Sequence, residues 1–203
     1  MLLDALQQPA FHLFGVEVKW AEVLGDVTGA ACVWLVARQH VLNWPLGLLN
    51  NVFWAVLFFH SKLYADATLQ GFFFALGVYG WVLWARRRPG DAAPKLPVRR
   101  TTRREWAALG AAAVPATAAA TVVLARLTDS PVPFWDSLVL TLSLAATYGQ
   151  ANKLLESWWV WILVDVISVP LYLSRGLYPT AALYVVFFML CIKGLRDWSR
   201  ELT

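Results

Sequence analysis

The chain has 203 residues, of which 59% are apolar and 15% are charged, against about 25% charged residues in an ordinary soluble domain. This balance excludes intrinsic disorder, and it argues against a soluble enzyme because a chain of this length cannot bury so much apolar surface. The net charge of +4 does not indicate a nucleic-acid partner, because the basic residues concentrate in one loop. We therefore predict an all-α integral membrane protein.

Seven stretches are long and apolar enough to cross a bilayer as helices, which takes about 20 residues. They are predicted at residues 20–36, 44–60, 65–84, 106–124, 134–151, 158–173 and 178–198. Their hydrophobicity does not alternate as it would in the strands of a membrane barrel. Residues 1–19 are predicted to form a tail or a short interfacial helix, and residues 199–203 a C-terminal tail.

The distribution of Lys and Arg predicts the orientation of the chain. With the N-terminus outside and the C-terminus in the cytoplasm, 13 of the 17 basic residues lie inside and 4 outside. The positive-inside rule favours this arrangement. Residues 85–105 then form a basic, Pro-containing cytoplasmic loop. We interpret it as a solvated loop that sets topology, in preference to a lipid or partner site.

An internal repeat appears when the chain is shifted by 114 residues. Residues 20–84 then match residues 134–198 at 16 positions without a gap, where composition alone would give about 5. Each copy holds three helices, and the helix at 106–127 separates them, so the two three-helix bundles run parallel. This 3+1+3 arrangement is typical of transporters with a substrate site between two bundles.

Polar and aromatic residues within the predicted helices indicate where that site lies, because such residues are costly in lipid. Helix two places Trp44, Gly47 and Asn51 on one face. Helix six places Trp158, Trp161 and Asp165 at the matching positions. The remaining members of the predicted set are Asp66, Gln70, Tyr148, Gln150, Asn152 and Tyr184. The predicted cavity suits a flat, polar, cationic ring compound, because aromatic faces attract cations. The alternatives are an interfacial belt for the tryptophans at helix ends and helix–helix hydrogen bonds for the amides.

Signals for other chemistry are weak. The three histidines are scattered and the two cysteines lie in apolar runs, so no metal or other cofactor is expected. The sequence has neither an ATP-binding P-loop nor a nucleophile motif. A membrane enzyme or a non-transporting assembly subunit is therefore disfavoured.

Two sets of motifs resemble the PnuC family. The first half carries Trp44-Pro-Leu-Gly47, Lys62-Leu-Tyr64-Ala-Asp66, Leu69-Gln70 and Tyr79-Gly80-Trp81. The second half carries Glu156-Ser-Trp158-Trp159-Val160-Trp161, Asp165-Val166 and Thr180-Ala-Ala-Leu-Tyr184. They stand in the expected order, and the resemblance covers about residues 20–198.

The resemblance implies a bacterial inner-membrane vitamin transporter with a SWEET-like 3+1+3 fold, typically a homotrimer. Such proteins import chiefly nicotinamide riboside for NAD synthesis, with members for thiamine and riboflavin. Transport is by facilitated diffusion, and a cytoplasmic kinase traps the substrate by phosphorylation. The implied ligands are Asn51, Gln70, Trp158, Trp161, Asp165 and Tyr184. Nicotinamide riboside and thiamine are aromatic cations and suit Asp165 better than neutral riboflavin; a proton-coupled version of the transporter stays open.

Overall fold

The computed structural model describes residues 8–13, 16–60, 64–85, 96–128, 130–174, 176 and 178–202. Two strands and seven helices occur within these residues. They are β1 (Pro9–Leu13), β2 (Val16–Lys19), α1 (Trp20–Ala37), α2 (Asn43–His60), α3 (Tyr64–Ala85), α4 (Arg103–Leu127), α5 (Pro133–Ala151), α6 (Ser157–Ser174) and α7 (Tyr178–Ser199). The helices coincide with the seven predicted spans to within three residues at each end.

The N-terminal segment differs from the prediction of a tail or interfacial helix. Strands β1 and β2 pair antiparallel, with Phe11 opposite Val18 and Leu13 opposite Val16. The segment 16–19 alternates valine with charged residues, a period of two that suits a strand and not a helix. The prediction of an interfacial helix is therefore wrong for the described part of residues 1–19.

Three helices in the described part of the chain combine the length and the hydropathy needed to cross a membrane. They are α4, α6 and α7, with mean hydropathies of 1.8, 1.4 and 1.6. In α1, the carboxylates Glu22 and Asp26 interrupt the apolar sequence. Membrane crossing by the other four helices stays a prediction.

The helix contacts follow the internal repeat. Helices α1, α2 and α3 pack in sequence, and so do α5, α6 and α7. The two groups meet through α1 against α7 and α3 against α5. Since the 114-residue shift turns α1 into α5 and α3 into α7, these two interfaces are equivalent. Among the described helices, α4 packs mainly against α5.

In each group of helices, a tryptophan ring packs directly against a glycine of the third helix. In the first, a Cβ at Gly80 would lie 2.3 Å from the ring of Trp44; in the second, a Cβ at Gly194 would lie 2.5 Å from Trp158. Each ring also meets a second tryptophan edge-on, Trp84 at 5.4 Å and Trp198 at 5.3 Å. The glycines let a bulky indole approach the helix backbone, so these rings form the core at one end of the molecule.

The turns that follow α1 and α5 are also equivalent. Each ends its helix with a Schellman motif, whose hydrogen bonds are Gln39 to Val36, His40 to Leu35, Lys153 to Gln150 and Leu154 to Gly149. The residue in the left-handed conformation is Gln39 in one turn (φ 52°) and Lys153 in the other (φ 51°). The repeat is therefore reproduced down to single backbone hydrogen bonds.

The segment that precedes α4 is hydrogen-bonded to the turn between α5 and α6. Arg99 forms a parallel bridge with Leu154, and the Glu156 carboxylate accepts from both the backbone and the hydroxyl of Thr101, each at 2.7 Å. Thr102 then begins α4 in a capping box with Glu105. These contacts fix the position of the loop that precedes Trp158.

Candidate functional site

Two adjacent cavities lie between the two helix groups. The wide cavity has a volume of about 580 Å³ and receives side chains from α1, α2, α3, α6 and α7. The deep cavity has a volume of about 260 Å³ and adds side chains from α5. Gly29, Phe73, Tyr184 and Phe187 line both, so the two cavities are direct neighbours, and we refer to them together as the pathway.

The lining contains pairs of residues related by the repeat. The pairs are Gly29 with Ser143, Asn51 with Asp165, Gln70 with Tyr184, and Phe73 with Phe187. Each member of a pair comes from a different helix group. The pathway therefore runs between the repeats, and it carries different polar groups on its two sides.

Aromatic rings supply much of the wall. Tyr184 lies 5.0 Å from Tyr172 and 5.6 Å from Phe187, centroid to centroid, and Trp54 stacks on Phe58 at 5.4 Å. The Trp54 ring in turn sits against the backbone at Gly25. Rings packed on one another in this way keep their orientation, and they present faces on which a flat ligand can stack.

Two polar atoms of the deep cavity have no hydrogen-bond partner among the residues that the structure describes. They are the indole Nε1 of Trp161 and the Oδ2 atom of Asp165, a residue that is only 2% exposed. The Nε1 atoms of Trp44, Trp158 and Trp198 are unpartnered too, but only these two atoms belong to residues that line a cavity, where a ligand or ordered water can reach them. The two groups offer one hydrogen-bond donor and one acceptor.

The pathway is acidic. Its lining includes the carboxylates of Glu22, Asp26 and Asp165 and, among the described lining residues, neither lysine nor arginine. Such a wall attracts cations and repels phosphate. No group of three His, Cys, Asp or Glu side chains suited to a metal ion occurs in the described part of the chain.

Comparison with known proteins identifies the family. Residues 19–200 match the family described as "Nicotinamide mononucleotide transporter", which is nearly the whole chain. The chain belongs to this family. The match confirms the resemblance to PnuC, and it makes the chain a multi-pass membrane protein of a transporter family.

Relatives within the family differ in the substrate that they are named for. The chain is 29% identical to the nicotinamide riboside transporter PnuC of Escherichia coli (strain K12), over 91% of this chain and 87% of that one. It is 33% identical to the riboflavin/roseoflavin transporter RibM of Streptomyces davaonensis, over 97% and 92%. The crystal structure of the vitamin B3 transporter PnuC shares the fold, with a TM-score of 0.72 at 22% identity, over 90% of this chain and 82% of that one.

Six of the predicted site residues line the pathway of this family member. They are Asn51, Gln70, Gln150, Trp161, Asp165 and Tyr184. The repeat brings them together because they stand at equivalent or neighbouring positions of equivalent helices. Asp66 begins α3, but its side chain lies outside the described ones.

Four predicted residues lie elsewhere. Trp44 and Trp158 are buried in the tryptophan core and line neither cavity; their packing against Gly80 and Gly194 accounts for both. The Tyr148 ring stacks on Tyr79 at 6.0 Å, and the Tyr79 hydroxyl donates to the Asn152 side chain at 3.1 Å. These last two predicted residues therefore tie α3 to the end of α5, and we leave all four out of the proposed site.

Several lining residues were missed by sequence reasoning. Asp26 follows Glu22 by one helical turn and Trp54 follows Asn51 by three residues, so spacing could have placed both on the lining face. Asn50 supports the site differently: its amide donates to Thr28 Oγ1 at 2.6 Å and to Gly25 O at 3.1 Å. Tyr172 and Ser143 carried no signal that separated them from ordinary membrane-helix residues.

Proposed function

We propose that the protein imports nicotinamide riboside for NAD synthesis as a uniporter, by facilitated diffusion through this pathway. The observation that carries the proposal is the acidic, aromatic lining without a basic side chain among the described lining residues. The volume of the wide cavity, about 580 Å³, falls in the range of about 300–1,000 Å³ that is usual for ligand pockets. The family membership supports transport, and the lining supports a positively charged ring compound.

The chemistry of the lining matches that of a pyridinium nucleoside. The ring carries a positive charge, which Asp165 and the faces of Trp161 and Tyr184 would stabilise in the deep cavity. The amides of Asn51, Gln70 and Gln150 can donate to and accept from ribose hydroxyls. Glu22 and Asp26, in the wide cavity, would raise the local concentration of the cation.

The same lining supports trapping of the imported substrate. A cytoplasmic kinase that phosphorylates nicotinamide riboside would add negative charge, and three carboxylates without a basic counterpart would reject that product. Inward flow would then need no gradient other than that of the free nucleoside. Uptake into sealed liposomes, with and without a proton gradient, tests this: uptake that stops when the gradient is removed would favour the proton-coupled alternative.

For the architecture we propose the SWEET-like 3+1+3 arrangement with its two parallel bundles at residues 20–84 and 134–198. The basic loop at residues 85–105 and the linker helix at 106–127 would separate them. The packing of α4 on α5 and the equivalent α1–α7 and α3–α5 interfaces support it. We also propose the bacterial inner membrane as location, with the N-terminus outside, the C-terminus inside and seven spans. A homotrimer is proposed from the family resemblance alone.

Riboflavin is the second candidate substrate. The relative RibM, named for riboflavin and roseoflavin, is 33% identical over 97% of this chain. An aromatic pathway of this volume does not by itself exclude a larger flat ring. Thiamine, also an aromatic cation, satisfies the charge argument as well as nicotinamide riboside does.

Calorimetric titration of the purified protein in detergent separates these substrates. Nicotinamide riboside, its 5′-phosphate, thiamine and riboflavin would be titrated in turn under identical conditions. We expect binding of the riboside and no binding of the phosphate. Binding of riboflavin alone, or of thiamine alone, would overturn the choice of substrate, and binding of the phosphate would overturn the charge argument.

A further inference from the structure

Beyond the deep cavity, the two repeats contact one another at the turns that follow α1 and α5. Gln150 and Cys191 line the deep cavity, and the next turn of chain beyond Gln150 brings Lys153 against Gln39. Both residues stand at position C′ of the equivalent turns that follow α1 and α5. The contact therefore lies where the two helix groups would have to separate to open this end.

The backbone at these two positions favours glycine. Both residues adopt the left-handed conformation, with φ of 52° at Gln39 and 51° at Lys153. This conformation is destabilising for any residue with a Cβ atom, whereas glycine adopts it without strain. Helices commonly end with glycine at this position for that reason. Long polar side chains are found at both positions instead, and strain of this kind persists where the side chain has a function.

The side chains contact one another directly. The Lys153 ammonium donates a hydrogen bond to Gln39 Oε1 at 2.7 Å, and it lies 4.6 Å from the centroid of the Trp84 ring. The Gln39 amide donates in turn to the carboxylate of Glu201, just after α7. Lys153 is 2% exposed, so its charge is shielded from solvent in this arrangement. The contact joins the first repeat to the second through a buried ammonium.

We propose that Gln39 and Lys153 form a gate that closes the pathway at the end opposite the wide cavity, a role that rests on the proposed transport function. When the helix groups rock apart, the hydrogen bond breaks and the ammonium leaves the Trp84 ring. The bond from Trp84 Nε1 to Ala151 O and the contact between the Trp84 and Trp198 rings join the same two groups, so they break in the same movement. The two turns stay intact, because their backbone bonds lie within one group each. In the proposed topology this gate faces the cytoplasm and controls release of the substrate.

Glycine substitutions separate a gate from a structural contact. Gln39→Gly and Lys153→Gly remove the contact and relieve the left-handed backbone, so both variants are expected to keep or raise the melting temperature. A purely structural contact would instead lower it when broken. Lys193→Met is the matched control, because it removes an exposed lysine that pairs with Asp197 near the same end.

Cys191 provides a native reporter of the gate. It lines the deep cavity and is 3% exposed, and with Cys32→Ser it is the one cysteine left in the chain. Membrane vesicles of both orientations would be treated with a membrane-impermeant maleimide, and a protease-sensitive C-terminal tag would report which side carries the gate. We expect labelling from the gate side to become several-fold faster in Gln39→Gly and Lys153→Gly, and unchanged in Lys193→Met.

The exchange Gln39→Lys with Lys153→Gln completes the test. It restores one amide and one ammonium at the two positions, so labelling should return toward the original rate. Unchanged labelling from the gate side in both folded glycine variants would overturn the gate. Because the readout needs no substrate, it stays informative if nicotinamide riboside proves to be the wrong ligand.

Discussion

The two repeats share their packing and differ in their polar chemistry. Both seat a tryptophan on a glycine of the third helix, and both end their first helix with the same turn. Along the pathway, however, Asn51 of the first repeat corresponds to Asp165 of the second, and Gln70 corresponds to Tyr184. The difference teaches that the fold needs the two halves to be alike, whereas the site needs them to differ.

The physical reason lies in what each part must contact. A tryptophan core at the meeting point of two equivalent groups is satisfied by the same shape on both sides. A nucleoside has a charged ring at one end and hydroxyls at the other, so its two ends need different contacts. Asn51 and Gln70 in the first repeat, where the second has Asp165 and Tyr184, supply such different contacts.

The largest effect is expected from filling the glycine that seats a tryptophan. Gly194→Val would force atoms into the ring of Trp158, which is fully buried, and should destabilise the protein by about 3 kcal/mol. Gly80→Val should act similarly through Trp44. Thermal unfolding in detergent measures both. The matched control is Gly71→Ala, where a Cβ would meet nothing within 4 Å, and a large loss of stability there would contradict the packing argument.

A smaller effect, on binding and not on stability, is expected from making one pair of repeat-related lining residues alike. Asp165→Asn gives the second repeat the amide of the first and removes the buried carboxylate of the deep cavity. Affinity for nicotinamide riboside should fall by about 1.5–3 kcal/mol, the worth of a hydrogen bond to a charged group. The control is Asn51→Gln, which keeps the amide. Calorimetry measures both, and unchanged affinity in Asp165→Asn would remove this carboxylate from the site.

Trp161→Ala tests whether the ring binds the ligand. The indole lines the deep cavity with a buried, unpartnered Nε1, so its loss should weaken binding by about 1–3 kcal/mol, as for a stacking contact. Trp159→Ala is the control, because that ring is 58% exposed and lines neither cavity. Equal losses in the two variants, measured by calorimetry, would assign Trp161 to general packing.

The helices were predictable because their lengths follow from apolar runs, and the pathway residues were predictable where a polar group interrupts such a run, as at Asp165 and Gln70. The sequence did not distinguish the tryptophans that pack in the core from those that line the pathway. The repeat marks Trp44 and Trp158 as strongly as it marks the lining, and only the contacts with Gly80 and Gly194 reveal packing. Strands β1 and β2 have only five and four residues, so their sequence pattern is too short to distinguish a hairpin from a tail.

The smallest effect concerns the interface that joins the halves beside the pathway. Tyr79→Phe removes the hydroxyl that donates to Asn152 at 3.1 Å and leaves the ring stacked on Tyr148. Because this contact is exposed, the free energy of unfolding should fall by only about 0.5–1 kcal/mol, whereas Tyr79→Ala should cost more by losing the stack as well. Thermal unfolding of the two variants gives the comparison. Equal losses would show that the ring contributes nothing, and that α3 and α5 are joined here by the hydrogen bond alone.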